Sequence, residues 1–368
     1  MKIGIFSEHD VSAAYSCLFY LKDKLEQKYQ VDMWAKADRN KILNNNNLYL
    51  FNEQWYKSIR RFRIYASKIH MFLLGRKYDV IIINDLDFFR MAYWLKKIFP
   101  QKKVIHYNTE IQDKDVKYPW HTVRFYEKHA SYPDAIIECL NERANYRKKK
   151  YNIHKKIYVI NNTLPTSVLN FDKNHDMKIE KYFTFSEDYP IVVYAGGCNL
   201  SRALGDVIDA AKNHINEFNF LFFCYGDKED FDIVKRKCDK YSNCRLYHAV
   251  DRKTLFDIMK KCNIGIQYYD PTYSVNHLYA SPSKFYEYIA LGLKVISSNN
   301  EGINHMIEED KLGWCLKNDE TISDCFDRVK GITNTEKERI IKVFEEKYSY
   351  EASAYKVIDA IMNEIGCK

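Results

Sequence analysis

Hydrophobic residues in this chain fall mostly in short, nearly unbroken runs rather than in strict alternation with polar ones. The first series is Lys2–Phe6, Val80–Asn84, Val104–His106, Ala135–Cys139 and Tyr158–Ile160; the second is Ile191–Ala195, Phe218–Tyr225, Cys244–Tyr247, Ile264–Gln267 and Lys294–Ser298. Such runs read as strands covered on both faces, and the stretches between them have helical length and amphipathic character. This alternation predicts an α/β protein with parallel sheets. Thr163–Pro190 interrupts the alternation with two prolines and mixed polarity, and reads as a linker with an entry segment. The predicted architecture is two Rossmann-like, doubly wound domains, 1–165 and 166–349. Their carboxyl strand ends would face a common cleft, since open α/β sheets bind ligands there. A last helix over 350–368, with Ala354, Val357, Ile358 and Ile361 as its apolar stripe, is expected to pack back on the first domain.

The length of 368 residues suits two domains, and 46% hydrophobic residues supply ample core. No apolar run approaches the roughly 20 residues of a spanning helix, and MKIGIF reads as a strand rather than a leader. Ten cysteines occur without C-x-x-C pairs or histidines at ligand spacing. They read as buried thiols of a reduced, cytoplasmic chain, with no metal site expected.

Charge divides the chain. Met1–Pro165 holds 30 of the 57 Lys and Arg and 17 of the 49 Asp and Glu, a net +13; the remainder holds 27 and 32, a net −5. An anionic partner is therefore expected for the first half. Tyr56–Lys77 sharpens the point: Ile59, Phe62, Ala66, Ile69 and Leu73 recur at helical spacing with arginines between. That pattern suits either a core helix with a basic outer face or a helix lying on an anionic membrane. No nucleic-acid module is visible, so nucleic acid is not an expected partner.

The most informative stretch is ASPSKFYEYIALGLKVISS, Ala280–Ser298. Ser281 suits an N-cap, Pro282 the first helical position, and Gly292 the residue after the helix. Lys284 then falls in the first turn, where a cation opposes the helix dipole by about 0.3–1 kcal/mol. A bound anion reverses that sign, because the dipole, the N–H groups and the ammonium then act together. Glu287 lies one turn deeper on the same face, placed to accept hydrogen bonds from ribose hydroxyls. A second turn, YAGGCNLSRALG, places Gly196 and Gly197 for close backbone approach and Arg202 to grip a pyrophosphate. Together these suit a nucleotide diphosphate; an ordinary solvated Lys–Glu pair is the alternative.

In order and spacing, these motifs resemble the donor domain of GT-B-fold glycosyltransferases of the family 4 type. Gly196–Gly197, Arg202, Glu287, Gly292 and Lys294-Val295-Ile296 carry the resemblance, and Ser298–Leu316 continues it. Tyr78–Phe89, Val104–Asp115 and Cys139–Pro165 resemble first-domain segments of the family more loosely, and YSYEASAYKVIDAI resembles its terminal helix. The resemblance implies a retaining transfer from a nucleotide-sugar donor to a saccharide or lipid-linked saccharide, in surface polysaccharide or glycolipid assembly at the cytoplasmic face of a membrane. It implies no cofactor or metal, with Arg202, Ser283 and Lys284 on the diphosphate and Glu287 on the ribose. Asp85, Asp87, His106 and Glu110 would face sugar and acceptor, with Glu110 or His106 the first bases to consider if the enzyme inverts. Two departures stand out: Tyr279 occupies the first position of the family's E-x7-E pattern, and Thr109-Glu110 stands where many members have His-Glu. A nucleotide-sugar epimerase of the same fold and a non-catalytic glycosyltransferase-like partner are the alternatives. The first would turn over donor without acceptor; the second would bind nucleotide weakly or not at all.

Overall fold

The computed structural model describes residues 1–10, 16–36, 48–50, 63–111, 118–169, 179–186, 188–198, 204–329 and 334–366. The chain divides into two units, Met1–Asn162 with Ser353–Lys368, and Thr163–Ala352.

The first unit runs β1 (Lys2–Asp10), α1 (Ser16–Glu26), β2 (Gln30–Lys36), β3 (Leu48–Leu50), α2 (Arg63–Gly75), β4 (Val80–Asn84), α3 (Phe89–Ile98), β5 (Lys103–Tyr107), α4 (Trp120–His129), β6 (Ala135–Glu138), α5 (Asn141–Tyr151) and β7 (Tyr158–Val159). Its sheet has the order β3-β2-β1-β4-β5-β6-β7 with every pairing parallel. Ile3–Phe6 lie opposite Val80–Ile83, and β4 is buried at every position. Helices cover both faces of such a sheet, so VIIIN has no polar alternation to show. On one face Met71, Phe89, Leu95, Tyr126 and Ala144 from α2, α3, α4 and α5 pack on Phe6, Ile81, Ile83, Val104 and Ile136.

The second unit continues through β8 (Ile191–Gly197), α6 (Leu204–Asn213), β9 (Asn219–Tyr225), α7 (Lys228–Cys238), β10 (Cys244–His248), α8 (Arg252–Lys260), β11 (Ile264–Gln267), α9 (Val275–Leu278), α10 (Ser283–Ala290), β12 (Lys294–Ser297), α11 (Asn304–Glu309), β13 (Gly313–Cys315), α12 (Ile322–Asp327) and α13 (Asn334–Val343). A five-residue π-helical segment, Phe344–Tyr348, leads into α14 (Tyr350–Ser353). The sheet order is β10-β9-β8-β11-β12-β13, again all parallel. Strand order therefore reverses between β1 and β4 in one unit and between β8 and β11 in the other. Each reversal leaves a crevice at the carboxyl edge, where doubly wound sheets bind ligands.

α15 (Tyr355–Glu364) belongs to the first unit. It buries Ile358, Ile361 and Met362, pairs Asp359 with Lys28 at 3.0 Å, and accepts from the Tyr158 hydroxyl through Glu364. Three strands differ from the sequence expectation. β2, β3 and β13 were not foreseen: each lies at or beside a sheet edge, β2 alternates with polar residues, and β3 and β13 are only three residues long. In β2 Val31, Met33 and Ala35 are buried, alternating with half-buried Asp32 and Trp34. α2 also differs: Met71 and Leu74 face the core, while Ile69 and Leu73 of the expected stripe point outward. Ile59 and Phe62 lie outside the described residues.

Candidate functional site

At the carboxyl edge of the second sheet, α10 is the central element. Gly265 in the middle of β11 seats it: a Cβ there would lie 2.3 Å from the Tyr288 ring, so only glycine lets this helix lie so close. The Tyr288 hydroxyl accepts from Ala195 N–H at 3.1 Å, tying α10 to β8 across the strand-order reversal. The helix ends in a Schellman motif, with Gly292 N–H on Ile289 O, Leu293 N–H on Tyr288 O, and Gly292 at φ +78°.

Its start differs from the sequence expectation. The N-cap is Pro282, not Ser281, and the Ser281 hydroxyl lies 3.3 Å from the Tyr286 hydroxyl instead. A proline cap offers no side-chain acceptor to the first-turn N–H groups. Half-buried Ser283 opens the helix and Lys284 follows, buried to 7% exposure. The Lys284 ammonium sits 4.3 Å from the centre of the Tyr194 ring and 4.9 Å from that of Tyr269. Aromatic faces are weak counter-charges for a desolvated cation. The ammonium and the helix N-terminus thus place concentrated positive potential at the β8–β11 reversal.

Glu287, one turn further, is paired at 2.8 Å with Arg252 from the start of α8. Sequence reading missed Arg252. It is separated from Glu287 by an entire βα unit, and only the fold brings the start of α8 beside α10. Gly196 and Gly197 are the last residues of β8 rather than members of the following turn. Gly197 lies opposite Tyr225, and its carbonyl accepts from the Tyr194 hydroxyl at 2.8 Å. Arg202 lies outside the described residues. Tyr279, half-buried, closes the short helix α9. Beside these elements a cavity of about 430 Å³ opens on the β12–β13 side, lined by Tyr268, Pro271, Ser298, Asn299, Lys317 and Asn318.

The carboxyl edge of the first sheet is organised by buried charge. Asp85 follows β4 at φ +48°, a conformation that asparagine and aspartate tolerate best among side-chain-bearing residues. Its carboxylate accepts from Thr109 N–H at 2.8 Å, Glu110 N–H at 3.1 Å and the Thr109 hydroxyl at 2.5 Å. The Glu110 carbonyl accepts from Arg147 at 3.3 Å, and that of Thr109 from Arg143 at 3.0 Å. Both arginines converge on Glu138, which is fully buried at the end of β6. Burial pulls the Arg147 pKa down, but the charge of Glu138 outweighs it and leaves the guanidinium above its ordinary value. Glu110 itself is half-buried, with its backbone pinned from both sides; Asp87 is half-buried in the turn before α3.

His106 does not take the role of a base in this arrangement. It is fully buried, packed 5.0 Å from the Phe89 ring and 5.6 Å from Tyr126. One ring nitrogen, Nε2, lies 2.8 Å from the Asp85 carbonyl, which only accepts, so Nε2 carries the proton. Burial, reinforced by the nearby Arg147 charge, lowers its pKa to about 3. The ring is neutral and structural. This fixes a sign for acid stability. The folded pKa lies below the unfolded value of roughly 6.5, so the unfolded chain takes up the proton first as pH falls. The contribution is complete above about pH 6.5 and falls by up to about 1.4 kcal/mol per pH unit towards pH 3. Urea unfolding of wild type and His106→Gln at pH 7, 5.5 and 4.5 should show their stability difference shrinking as the pH drops. A difference independent of pH would contradict the buried neutral ring.

No family model matches the sequence, and no curated protein matches it. Solved structures do. A glycosyltransferase from Rickettsia africae superposes with a TM-score of 0.71 at 14% identity, over 100% of this chain and 99% of that one. HepE from Anabaena, in complex with UDP-glucose, gives 0.73 at 10% identity over 99% and 100%. WaaG, a glycosyltransferase involved in lipopolysaccharide biosynthesis, gives 0.67 at 10% identity over 98% and 99%. With two parallel, doubly wound sheets and these likenesses along its whole length, the chain has the fold of the GT-B glycosyltransferases.

Proposed function

We propose that the protein is a glycosyltransferase that moves a sugar from a nucleoside-diphosphate sugar to a saccharide or lipid-linked saccharide. The observation that carries this reading is the buried Lys284 ammonium in the first turn of α10, at the strand-order reversal of the second unit. A cation there opposes the helix dipole, and an anion bound at the helix start acts with both. A diphosphate bound at the start of α10 would meet Lys284 and the first-turn N–H groups together, and they would stabilise the charge that grows on the leaving group as the glycosidic bond breaks. These groups supply that positive charge without a metal. Glu287, steadied by Arg252, accepts from the ribose. The first unit takes the acceptor at the edge formed by Asp85 and Glu110. A retaining transfer needs no side-chain base at the sugar, which accords with the neutral, buried His106. HepE, solved with UDP-glucose, supports a nucleotide-sugar donor, and the involvement of WaaG in lipopolysaccharide biosynthesis supports a setting in cell-surface glycan assembly.

Thermal unfolding with UDP, GDP, dTDP and CMP tests the donor site. A ligand at a hundred times its dissociation constant adds about 2.7 kcal/mol. In a unit of this size that raises the midpoint by roughly 5–10 °C. One nucleoside diphosphate is expected to give this shift, with UDP the first to examine. No shift with any of them would remove the donor-site reading.

A further inference from the structure

Trp120 is the most exposed large apolar side chain among the described residues, with 73% of its surface open to solvent. It opens α4, and among the described residues its ring meets only that of His121, edge-on at 6.1 Å. The two residues before it hold it in place. Tyr118 packs half-buried on the core of the first unit, and Pro119, the N-cap of α4, fixes its own φ through its ring. A single exposed tryptophan needs no explanation; the position of this one does. α4 leads from the carboxyl end of β5 back to β6, which is parallel to β5, so its first turn lies towards the carboxyl edge of the sheet. Tyr126, in the middle of the helix, packs 5.6 Å from the His106 ring near the end of β5. At about 1.5 Å per residue, Trp120 stands roughly 9 Å further along the helix, beyond that edge. The same helix is tied to the edge: one Arg147 nitrogen donates to the Tyr126 hydroxyl at 2.7 Å and another to the Glu110 carbonyl at 3.3 Å.

The chemistry along that edge is acidic, in a half of the chain that is otherwise basic. Glu8 near the carboxyl end of β1, Asp87 and Glu110 are each half-buried there, and the Ser67 hydroxyl donates to Glu8. Carboxylates accept hydrogen bonds from sugar hydroxyls and repel phosphates. An aromatic face covers the C–H face of a pyranose, and an aromatic surface with a few polar groups beside it is the make-up of a small-molecule site. We propose that Trp120 is a stacking platform for the acceptor, covering a neutral pyranose ring one position back from the acceptor hydroxyl while Glu8 and Glu110 receive hydroxyls of the terminal ring. The stretch of helix between the Arg147 tie and Trp120 is longer than one pyranose ring, so the acceptor is a disaccharide or longer rather than a single sugar on a carrier. The proposal rests on the glycosyltransferase reading for its purpose, and adds to it the length and the neutral, hydroxyl-rich character of the acceptor.

Acrylamide quenching of tryptophan fluorescence tests it, with the full chain titrated with glucose, cellobiose, maltose and N,N′-diacetylchitobiose. At least one disaccharide is expected to protect a tryptophan from the quencher, with glucose much weaker, and the protection is expected to vanish in Trp120→Phe. Saturation-transfer NMR on the same disaccharide should show binding weakened about two- to tenfold in Trp120→Ala and largely kept in Trp120→Phe, which retains an aromatic face. Because the side chain is exposed, both variants should fold as the wild type does and keep its nucleotide-induced thermal shift. No protection by any disaccharide, an affinity unaltered in Trp120→Ala, or protection by phosphatidylcholine–phosphatidylglycerol vesicles in place of saccharides overturns the proposal. A chain that shifts with UDP while Trp120 ignores saccharides loses only this subsite; one whose Trp120 is covered by a disaccharide but that gives no shift with any nucleotide loses only the donor site.

Discussion

Lys284→Ala is expected to fold with nearly wild-type stability and to lose most of its response to a nucleoside diphosphate. In the unliganded protein the ammonium is desolvated between the Tyr194 and Tyr269 rings and opposes the dipole of α10. Removing it relieves an unfavourable dipole interaction of about 0.3–1 kcal/mol and gives up cation–π contacts of similar size, so the two nearly cancel. With ligand bound the balance changes. A charge-assisted hydrogen bond contributes about 1.5–3 kcal/mol, so the nucleotide should bind roughly 10–150-fold more weakly. If the same contact strengthens as the leaving diphosphate gains charge, kcat/KM falls further, by about 10²–10³, as for other preorganised donors to a developing anion. Glu287→Gln should cost less, because the amide still faces the ribose while the pair with Arg252 is lost. The decisive measurement is the midpoint with and without UDP in both variants. A Lys284→Ala protein that keeps the full shift would place the diphosphate elsewhere and leave this lysine a structural oddity.

That lysine also shows how far the sequence could be read. Its position near a helix start was visible because Pro, Gly and an apolar run bracket α10 so clearly. The strands that line both strand-order reversals, β1, β4, β8 and β11, were legible for the same reason: KIGIF, VIIIN, IVVYA and IGIQ are buried on both faces and leave no ambiguity of period. The edge strands escaped because half-covered backbone tolerates the polar residues of QVDMWAK, and because GWC is only three residues long. Sites built by one element were readable; sites built by several were not. Arg252 meets Glu287 only because the fold brings the start of α8 beside α10, and Arg147 meets Glu138 only because α5 folds back on β6. The environment of His106 was hidden for a similar reason. A histidine at a strand end looks catalytic in one dimension, and only the packing of Phe89 and Tyr126 shows that it is sealed from solvent.

The largest effect on stability is expected from Glu138. It has no exposed surface, and its carboxylate is the common partner of Arg143 and Arg147, which are themselves buried to 3% exposure each. Glu138→Ala removes one charge and leaves two buried guanidiniums facing each other, and breaking a buried pair in this way costs about 3–5 kcal/mol. Glu138→Gln keeps the shape and some hydrogen bonding, and should recover part of the loss. Replacing Glu138 and Arg147 together by Leu and Met should be milder than Glu138→Ala alone, because it removes both ends of one ion pair rather than stranding one of them. Urea unfolding followed by tryptophan fluorescence reads this unit well, since Trp34, Trp55, Trp94 and Trp120 lie in it and only Trp314 lies in the other. The functional consequence follows from the same bonds. Arg143 and Arg147 hold the carbonyls of Thr109 and Glu110, while Asp85 holds their N–H groups. Loosening the arginines should therefore displace the Glu110 backbone and lower turnover of acceptor while leaving the UDP-induced shift of the second unit intact. A Glu138→Ala protein destabilised by less than about 1 kcal/mol would mean that water reaches these charges and that Glu110 is held by Asp85 alone.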